Sequence, residues 1–196
     1  MELVLAPWLA AMGDGAAPAP DADAALMTRY VQGDTGAFEQ LYRRHRAPLY
    51  RYILRLSPAR ADADEVFQEV WMAVIQGRAR YVPTARFTTF LFSIAHRRLA
   101  DRLRQAARRP RAAMPEDVHD GAPDPLAQME NAALGAALAG AVAALSREHR
   151  EAFLLRLEGE LSVDEIAAVT GVPFETAKSR LRAANRALRE KLGDWK

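Results

Sequence analysis

The chain has 196 residues, half of them hydrophobic and 27% charged, with a formal net charge of +2, which is the size and balance of one or two small soluble domains. It contains no apolar run of about 18 residues, the length a membrane-spanning helix needs, and its apolar start, Met1–Leu9, lacks the basic segment that opens a signal peptide. Cysteine is absent, which excludes disulfides and thiolate metal sites and fits a reducing, cytoplasmic setting.

Residues 1–22 are rich in Ala, Pro and Gly and are expected to be a disordered tail. From Ala24 to about Arg108 the pattern is helical. Phe38, Leu41, Tyr42, Leu49 and Ile53 recur at helical spacing. Val66, Val70 and Val74 lie four apart with Phe67 and Trp71 beside them, and Leu91, Ala95, Leu99 and Leu103 repeat the same interval. Alternating β-branched stretches and Asn-Gly or Asp-Gly turns between apolar runs are missing, so strands are not expected.

Residues 109–125 hold four prolines, one glycine and four acids, a composition that cannot build a core and reads as a linker. Helical pattern resumes near Leu126 and runs to Leu192. An Ala-rich helix is expected from Leu134 to Leu145, followed by Ser146 as the N-cap of a helix carrying Phe153, Leu154 and Leu157.

Leu161 to Arg182 has the grammar of a helix-turn-helix. Ser162 and Glu165 have capping-box spacing, each side chain able to serve the other's backbone N–H. Ile166, Ala167 and Val169 give the first helix a packing face, and Gly171 can end it in a left-handed conformation. Pro173 suits the opening of the second helix, where its missing N–H costs little. Ala177, Leu181, Ala184, Leu188 and Leu192 then form an inward stripe. The polar face of this second helix carries Thr176, Lys178, Ser179, Arg180 and Arg182 near its N-terminal half, the end such helices insert into the major groove. Arg and Lys can bind guanine edges or phosphates, and Ser or Thr can reach either. Arg186, Arg189 and Lys191 lie further along, where they reach phosphate or nothing.

The small net charge conceals two basic stripes. Seven arginines fall between Arg97 and Arg111 with one acid, Asp101, and six basic residues fall between Lys178 and Lys191 with one acid, Glu190. Two such stripes on a balanced chain suggest two contacts with a polyanion, although either alone is also what a solvated helix face looks like. The acids gather elsewhere. Asp64, Glu65 and Glu69, beside apolar Val66, Val70 and Trp71, make a patch suited to a basic, partly apolar helical partner. The loop Gly77–Arg86 is basic with one aromatic, Tyr81, which can stack on an extruded base or pack inward. Phe87, Phe90 and Phe92 read as core. Arg97 and Asp101, four apart, are placed to pair.

Three blocks resemble a known family. Phe87–Arg104 (Phe-Thr-Thr-Phe-Leu-Phe-Ser-Ile-Ala-His-Arg-Arg-Leu-Ala-Asp-Arg-Leu-Arg) is similar to the promoter-melting, minus-10-reading helix of extracytoplasmic-function (ECF, group IV) RNA polymerase sigma factors. Asp64–Trp71 (Asp-Glu-Val-Phe-Gln-Glu-Val-Trp) resembles their core-polymerase docking helix, and Leu161–Arg182 resembles their minus-35 reader. The matches cover roughly residues 24–108 and 134–192 in the family's order, with a short linker where larger sigma factors have a middle domain.

The resemblance implies an all-α fold of two small helical domains: a region 2 bundle over 23–108 and a region 4 helix-turn-helix domain over 134–196, joined by a flexible linker over 109–133. It implies a non-enzymatic initiation factor without cofactor, cytoplasmic and not inserted in a membrane. Its partners would be core RNA polymerase, promoter DNA and, as a further candidate, an anti-sigma factor. On the polymerase side, the clamp helices of the largest subunit would be met by Asp64, Glu65, Gln68 and Glu69, and the flap region by the C-terminal domain.

Carried over residue by residue, the minus-10 set is Arg80, Tyr81, His96, Arg97, Arg98, Asp101, Arg102 and Arg104. The minus-35 set is Thr176, Lys178, Ser179, Arg180, Arg182 and Arg186. The chain departs from the family pattern at Phe90, where Trp is usual, at Arg97, where Asn is common, and at Ala183 and Asn185, where basic residues are common.

Two other classes remain open from the residues alone. A free-standing helix-turn-helix regulator would bind its operator without polymerase. A small helical nucleic-acid enzyme would need a metal or catalytic cluster, and His45, His96, His119 and His149 have no ligand spacing.

Overall fold

The computed structural model describes residues 21–108 and 132–193, and every regular element among them is helical. Helix α1 (Ala22–Val31) starts where the Asp21 carboxylate accepts the Asp23 N–H, within the stretch expected to be tail. Asp34 caps α2 (Thr35–Leu56), accepting from the Ala37 N–H while Arg29 holds its other oxygen at 2.6 Å. The α2 helix runs through Pro48, which lacks one ladder donor, and stops at Ser57-Pro58, where the residue before proline leaves the helical region. Helix α3 (Arg60–Gly77) passes through a 3-10 turn (Arg78–Arg80) and a loop into α4 (Phe87–Arg108). The first N–H of α4, at Phe87, donates to the second oxygen of Asp21 at 2.5 Å. One carboxylate therefore caps two helices, the second at a residue 66 positions along the chain from Asp21.

The C-terminal half holds α5 (Ala132–Ala143), α6 (Arg147–Glu158), α7 (Val163–Thr170) and α8 (Phe174–Gly193). Helix α5 starts and ends two residues before the expected Leu134–Leu145. Its end is fixed from α6: the Arg150 guanidinium reaches back to the carbonyls of Ala143 and Leu145, an ordinary way for a cation to close a helix C-terminus. Ser146 caps α6 as expected. The linker expected over 109–133 lies outside the described residues except for its last two, which begin α5.

The helix-turn-helix has the expected caps. Ser162 Oγ accepts the Glu165 N–H at 3.2 Å, and the Ser162 N–H donates to the Glu165 carboxylate at 2.8 Å. Gly171 stands at φ +68°, and Pro173 immediately precedes the first helical residue of α8. Ala177, Leu181, Ala184 and Leu188 are buried against α5, α6 and α7, so the packing stripe fixes which face of α8 looks outward.

The two halves share one continuous apolar core, from Leu26 to Leu188. Tyr52 and Phe92 of the first half, ring centroids 5.1 Å apart, and Phe153, Leu154 and Leu155 of the second are fully buried. Each such side chain contributes about 1.5–3 kcal/mol by leaving water.

At Gly171 any Cβ meets left-handed backbone, so Gly171→Ala is expected to lower unfolding stability by about 1–2 kcal/mol, and Gly171→Asn by less. Urea midpoints of the two variants check this; equal midpoints with the parent would deny the turn its role.

Candidate nucleic-acid interface and the contact between domains

Packing of α8 through Ala177, Leu181 and Ala184 leaves an outward stripe. Glu175, Ser179, Arg182, Ala183 and Arg186 line one shallow open groove along it. Lys178 flanks this groove, its ammonium 5.4 Å from the centre of the Phe174 ring and 3.9 Å from Glu175. Thr176 is half-buried. Arg180 is turned toward the other side, where its charge helps hold the Glu148 carboxyl below its ordinary range, after that residue's own backbone hydrogen bond. The expected minus-35 set thus divides into an outward group (Ser179, Arg182, Arg186), a flank (Lys178) and two residues directed elsewhere. Glu175, which sequence reasoning passed over, shares the outward face.

The minus-10 set and the docking acids lie on neighbouring helices and meet each other. Arg98 of α4 is 3.8 Å from Glu69 of α3. Arg102 is 3.3 Å from Asp62 and also pairs with Glu65. Asp64 accepts a 2.6 Å hydrogen bond from the Tyr50 hydroxyl, and Gln68 is exposed. Asp101 pairs with Arg104, three residues on, in place of the expected Arg97 pairing, and Arg97 and Arg80 are exposed. Tyr81 packs inward, edge-on to Phe90 at 5.3 Å. Burial and then the nearby Asp21 charge push its hydroxyl up to about 12. Of the two readings left open for Tyr81, the inward one describes this conformation. Phe87 and Phe92 are core, as expected, and Phe90 is half-buried.

His96, expected at the minus-10 contact, faces the C-terminal domain. Its Nδ1 lies 2.7 Å from the Glu151 carboxylate, which also accepts from the Tyr52 hydroxyl at 3.2 Å. Burial and then the Glu151 charge raise the Tyr52 hydroxyl well above its ordinary value. Two further glutamates make the same kind of contact. Glu158, its side chain 4% exposed, lies 2.7 Å from Arg51 and 3.5 Å from Arg55. Glu165, besides closing the capping box, accepts from Thr89 at 2.6 Å and from Arg86 at 3.4 Å. Arg86 also reaches the Glu160 carbonyl at 3.2 Å, and Arg150 the Arg55 carbonyl at 3.4 Å. At Gly159 a Cβ would stand 2.9 Å from the Leu155 carbonyl and 3.1 Å from the Leu161 side chain, with Phe92 of α4 at an ordinary contact distance of 3.4 Å, so glycine is needed to close the turn after α6.

A helical protein with a capped helix-turn-helix, an outward basic reading face and a second helical domain carrying its own arginine row is a DNA-reading protein of two joined modules. Sigma-70 region 2 matches residues 41–109 and Sigma-70, region 4 matches residues 136–188. The ECF RNA polymerase sigma factor SigM of Mycobacterium tuberculosis is 34% identical over 87% of this chain and 85% of its own, and the RNA polymerase sigma factor CarQ of Myxococcus xanthus is 32% identical over 86% and 96%. The chain belongs to the ECF RNA polymerase sigma factors, which bind core RNA polymerase and direct promoter-specific initiation at minus-10 and minus-35 elements. Among solved structures, CnrH in complex with the cytosolic domain of CnrY aligns with a TM-score of 0.63 at 25% identity, covering 89% of this chain and 99% of that one. The sigma factor RpoE of Bartonella quintana, solved with the anti-sigma factor NepR, shares the fold at a TM-score of 0.61 and 21% identity, over 80% and 96%.

Burial raises the Glu165 carboxyl, but the Thr89 hydroxyl, the Ser162 N–H and Arg86 outweigh it and hold the group below its ordinary 4.5. A folded-state value below the unfolded one means that ionised Glu165 stabilises the protein above 4.5, and that this stabilisation is lost as pH falls through the lower folded value. Melting temperature followed from neutral pH downward is therefore expected to drop less steeply in that acid window for Glu165→Gln than for the parent. An identical acid limb would remove Glu165 from the account.

Proposed function

We propose that residues 21–108 dock on core polymerase and open the minus-10 element, and that residues 132–193 read the minus-35 duplex. The observation that carries this is the outward stripe of α8. A groove lined by Ser179, Arg182 and Arg186, with Lys178 beside it, offers donors to base edges and phosphates on the one face of that helix not used for packing. Thr176, half-buried, and Arg180, whose charge acts on Glu148, lie off this face and reach DNA only if their side chains turn. In the N-terminal domain, the loop 81–86 with Arg80, and the α4 residues His96, Arg97, Arg98, Asp101, Arg102 and Arg104, make up the minus-10 side. Tyr81 supports the loop from within and stacks on a base only if the loop moves.

Asp64, Glu65, Gln68 and Glu69 present an acidic face on α3 beside Met72, which is 50% exposed. Such a face suits the clamp helices of the largest polymerase subunit, and the C-terminal domain is assigned to the flap region. The factor acts without catalysis or cofactor of its own, in the cytoplasm with the polymerase. Among the described residues no helix is long and apolar enough to cross a membrane. RpoE of Bartonella quintana is solved with the anti-sigma factor NepR, and an anti-sigma protein of this kind is the proposed negative regulator. A free-standing regulator is not favoured, because the family resemblance spans both domains.

Transcription in vitro with purified core polymerase and a promoter library tests the assignment; absence of specific transcripts would sink it. Arg182→Ala is expected to lose about 1–3 kcal/mol at those minus-35 sequences where it makes a base contact, changing promoter ranking more than total output. Unchanged ranking in both Arg182→Ala and Lys178→Ala would remove them from the reading set. Glu69→Lys, on an exposed face, is expected to weaken core binding while leaving the helical circular-dichroism spectrum unaltered; intact binding would move the docking site elsewhere.

A further inference from the structure

We propose that Glu175 is a specificity-determining residue of the minus-35 reader, its carboxylate accepting the exocyclic amine of a cytosine in the major groove. The inference rests on the minus-35 reading of α8 above. Residues 175, 179, 182 and 186 follow one another at intervals of four, three and four, which places them within about 60° of the helix circumference at about 3.6 residues per turn. Glu175, Ser179, Arg182 and Arg186 accordingly line one open groove. A duplex edge laid against the serine and the two arginines therefore also meets this carboxylate.

Attraction to DNA does not explain a carboxylate on such a face, because phosphates repel it and the cations of the helix supply the pull. Nor is its acceptor capacity used up by a neighbour. Lys178 stands 3.9 Å away, beyond hydrogen-bond reach, and the Glu175 side chain is 79% exposed. The packing stripe of α8 runs through Ala177, Leu181, Ala184 and Leu188, so the core does not hold Glu175 either. What remains is the chemistry of base edges. In the major groove cytosine presents the amine donor N4. Guanine presents the acceptors N7 and O6, thymine the acceptor O4, and adenine the acceptor N7 beside its N6 amine. A group that only accepts meets cytosine without also facing an acceptor. The stripe thus makes two opposite demands: Arg182 and Arg186 seek acceptors, and Glu175 seeks a donor.

The helix also sets where that base lies. Glu175 is in the first turn of α8, within the half that a recognition helix places against base edges. It precedes Arg182 by seven residues, about 10 Å along the axis at about 1.5 Å per residue, or about three base pairs at about 3.4 Å each. The cytosine is therefore expected about three base pairs from the position that answers to Arg182.

The test uses the full chain bound to core polymerase and a barcoded promoter library randomised through the minus-35 element, with the minus-10 element and spacer fixed. Barcodes in the transcripts report which sequences are used. The parent is expected to favour cytosine about fivefold or more at one position. Glu175→Ala is expected to level that position and leave the rest of the element in place. Glu175→Gln, whose amide also donates, can bind N6 and N7 of adenine together and is expected to raise adenine there to at least the level of cytosine. Both variants are expected to keep the parental helical content by circular dichroism. A merely structural role in the first turn would lower the melting temperature without moving base preference.

Arg182→Ala in the same library separates this proposal from the reading beneath it. If Arg182→Ala reshapes promoter choice while both Glu175 variants keep the parental preferences, the carboxylate reads nothing and the minus-35 assignment stands. An equal rise in output at every sequence on removing the charge would also overturn the proposal, because Glu175 would then only repel phosphate. So would a position that answers to Glu175 but favours a base other than cytosine in the parent. If none of the three variants alters promoter choice, the minus-35 assignment of α8 falls together with the proposal.

Discussion

A carboxylate removed from water must be met by donors whose positions are already set, or it does not stay charged and buried. The arrangement of this chain follows from meeting that demand three times at one contact. Glu158 lies where α6 crosses α2, Glu151 where α6 meets α2 and α4, and Glu165 where α7 meets α4. Between them sit Tyr52 and Phe92, which bring the two apolar cores into one. The polar contacts fix the angle at which the halves join, and the aromatic contacts between them supply the attraction that area burial provides.

Electrostatics within the N-terminal domain follow a related rule at lower stakes. The acids proposed to face polymerase and the arginines proposed to face DNA occupy adjacent helices, and Glu69, Glu65 and Asp62 pair with Arg98 and Arg102. These pairs are largely solvated, so each contributes little to stability. Their effect is on the field: the positive stripe counted along the sequence is partly neutralised from α3, leaving Arg97 and Arg80 as exposed cationic positions. The same pairing means that a partner drawing on the acids frees cationic charge beside it.

What sequence could reveal here divides along local and non-local lines. Capping box, left-handed glycine, packing stripe and proline placement in the helix-turn-helix were all legible, because each acts over a few residues. The end of α5 came out two residues early because Arg150, from the next helix, decides it. Asp21 falls inside the stretch read as a featureless tail because one of its two caps lies 66 residues away. The contacts between the halves were not legible: along the chain Glu151 and Glu158 are indistinguishable from solvated helix-surface acids, Glu165 is read only as a local capping-box acid, and their partners stand 55 to 107 residues away. For the same reason His96 was assigned to DNA from its helix, while its neighbour in space is a carboxylate of the other domain. Arg180 points away from the outward face, and Tyr81 takes the inward one of its two open readings, because spacing alone does not specify side-chain direction.

The double cap at Asp21 has a practical consequence for anything joined ahead of it. Because this residue is tied to the first turn of α4 and its charge is felt by Tyr81, the polypeptide enters the folded body beside the loop assigned to base capture. In the proposed assignment, a probe attached at Asp21 would stand on the strand-opening side, whereas one attached at the end of α8 would hang from the far end of the proposed duplex-reading helix. On that assignment, the choice of attachment point would decide which half of the promoter a probe sits beside.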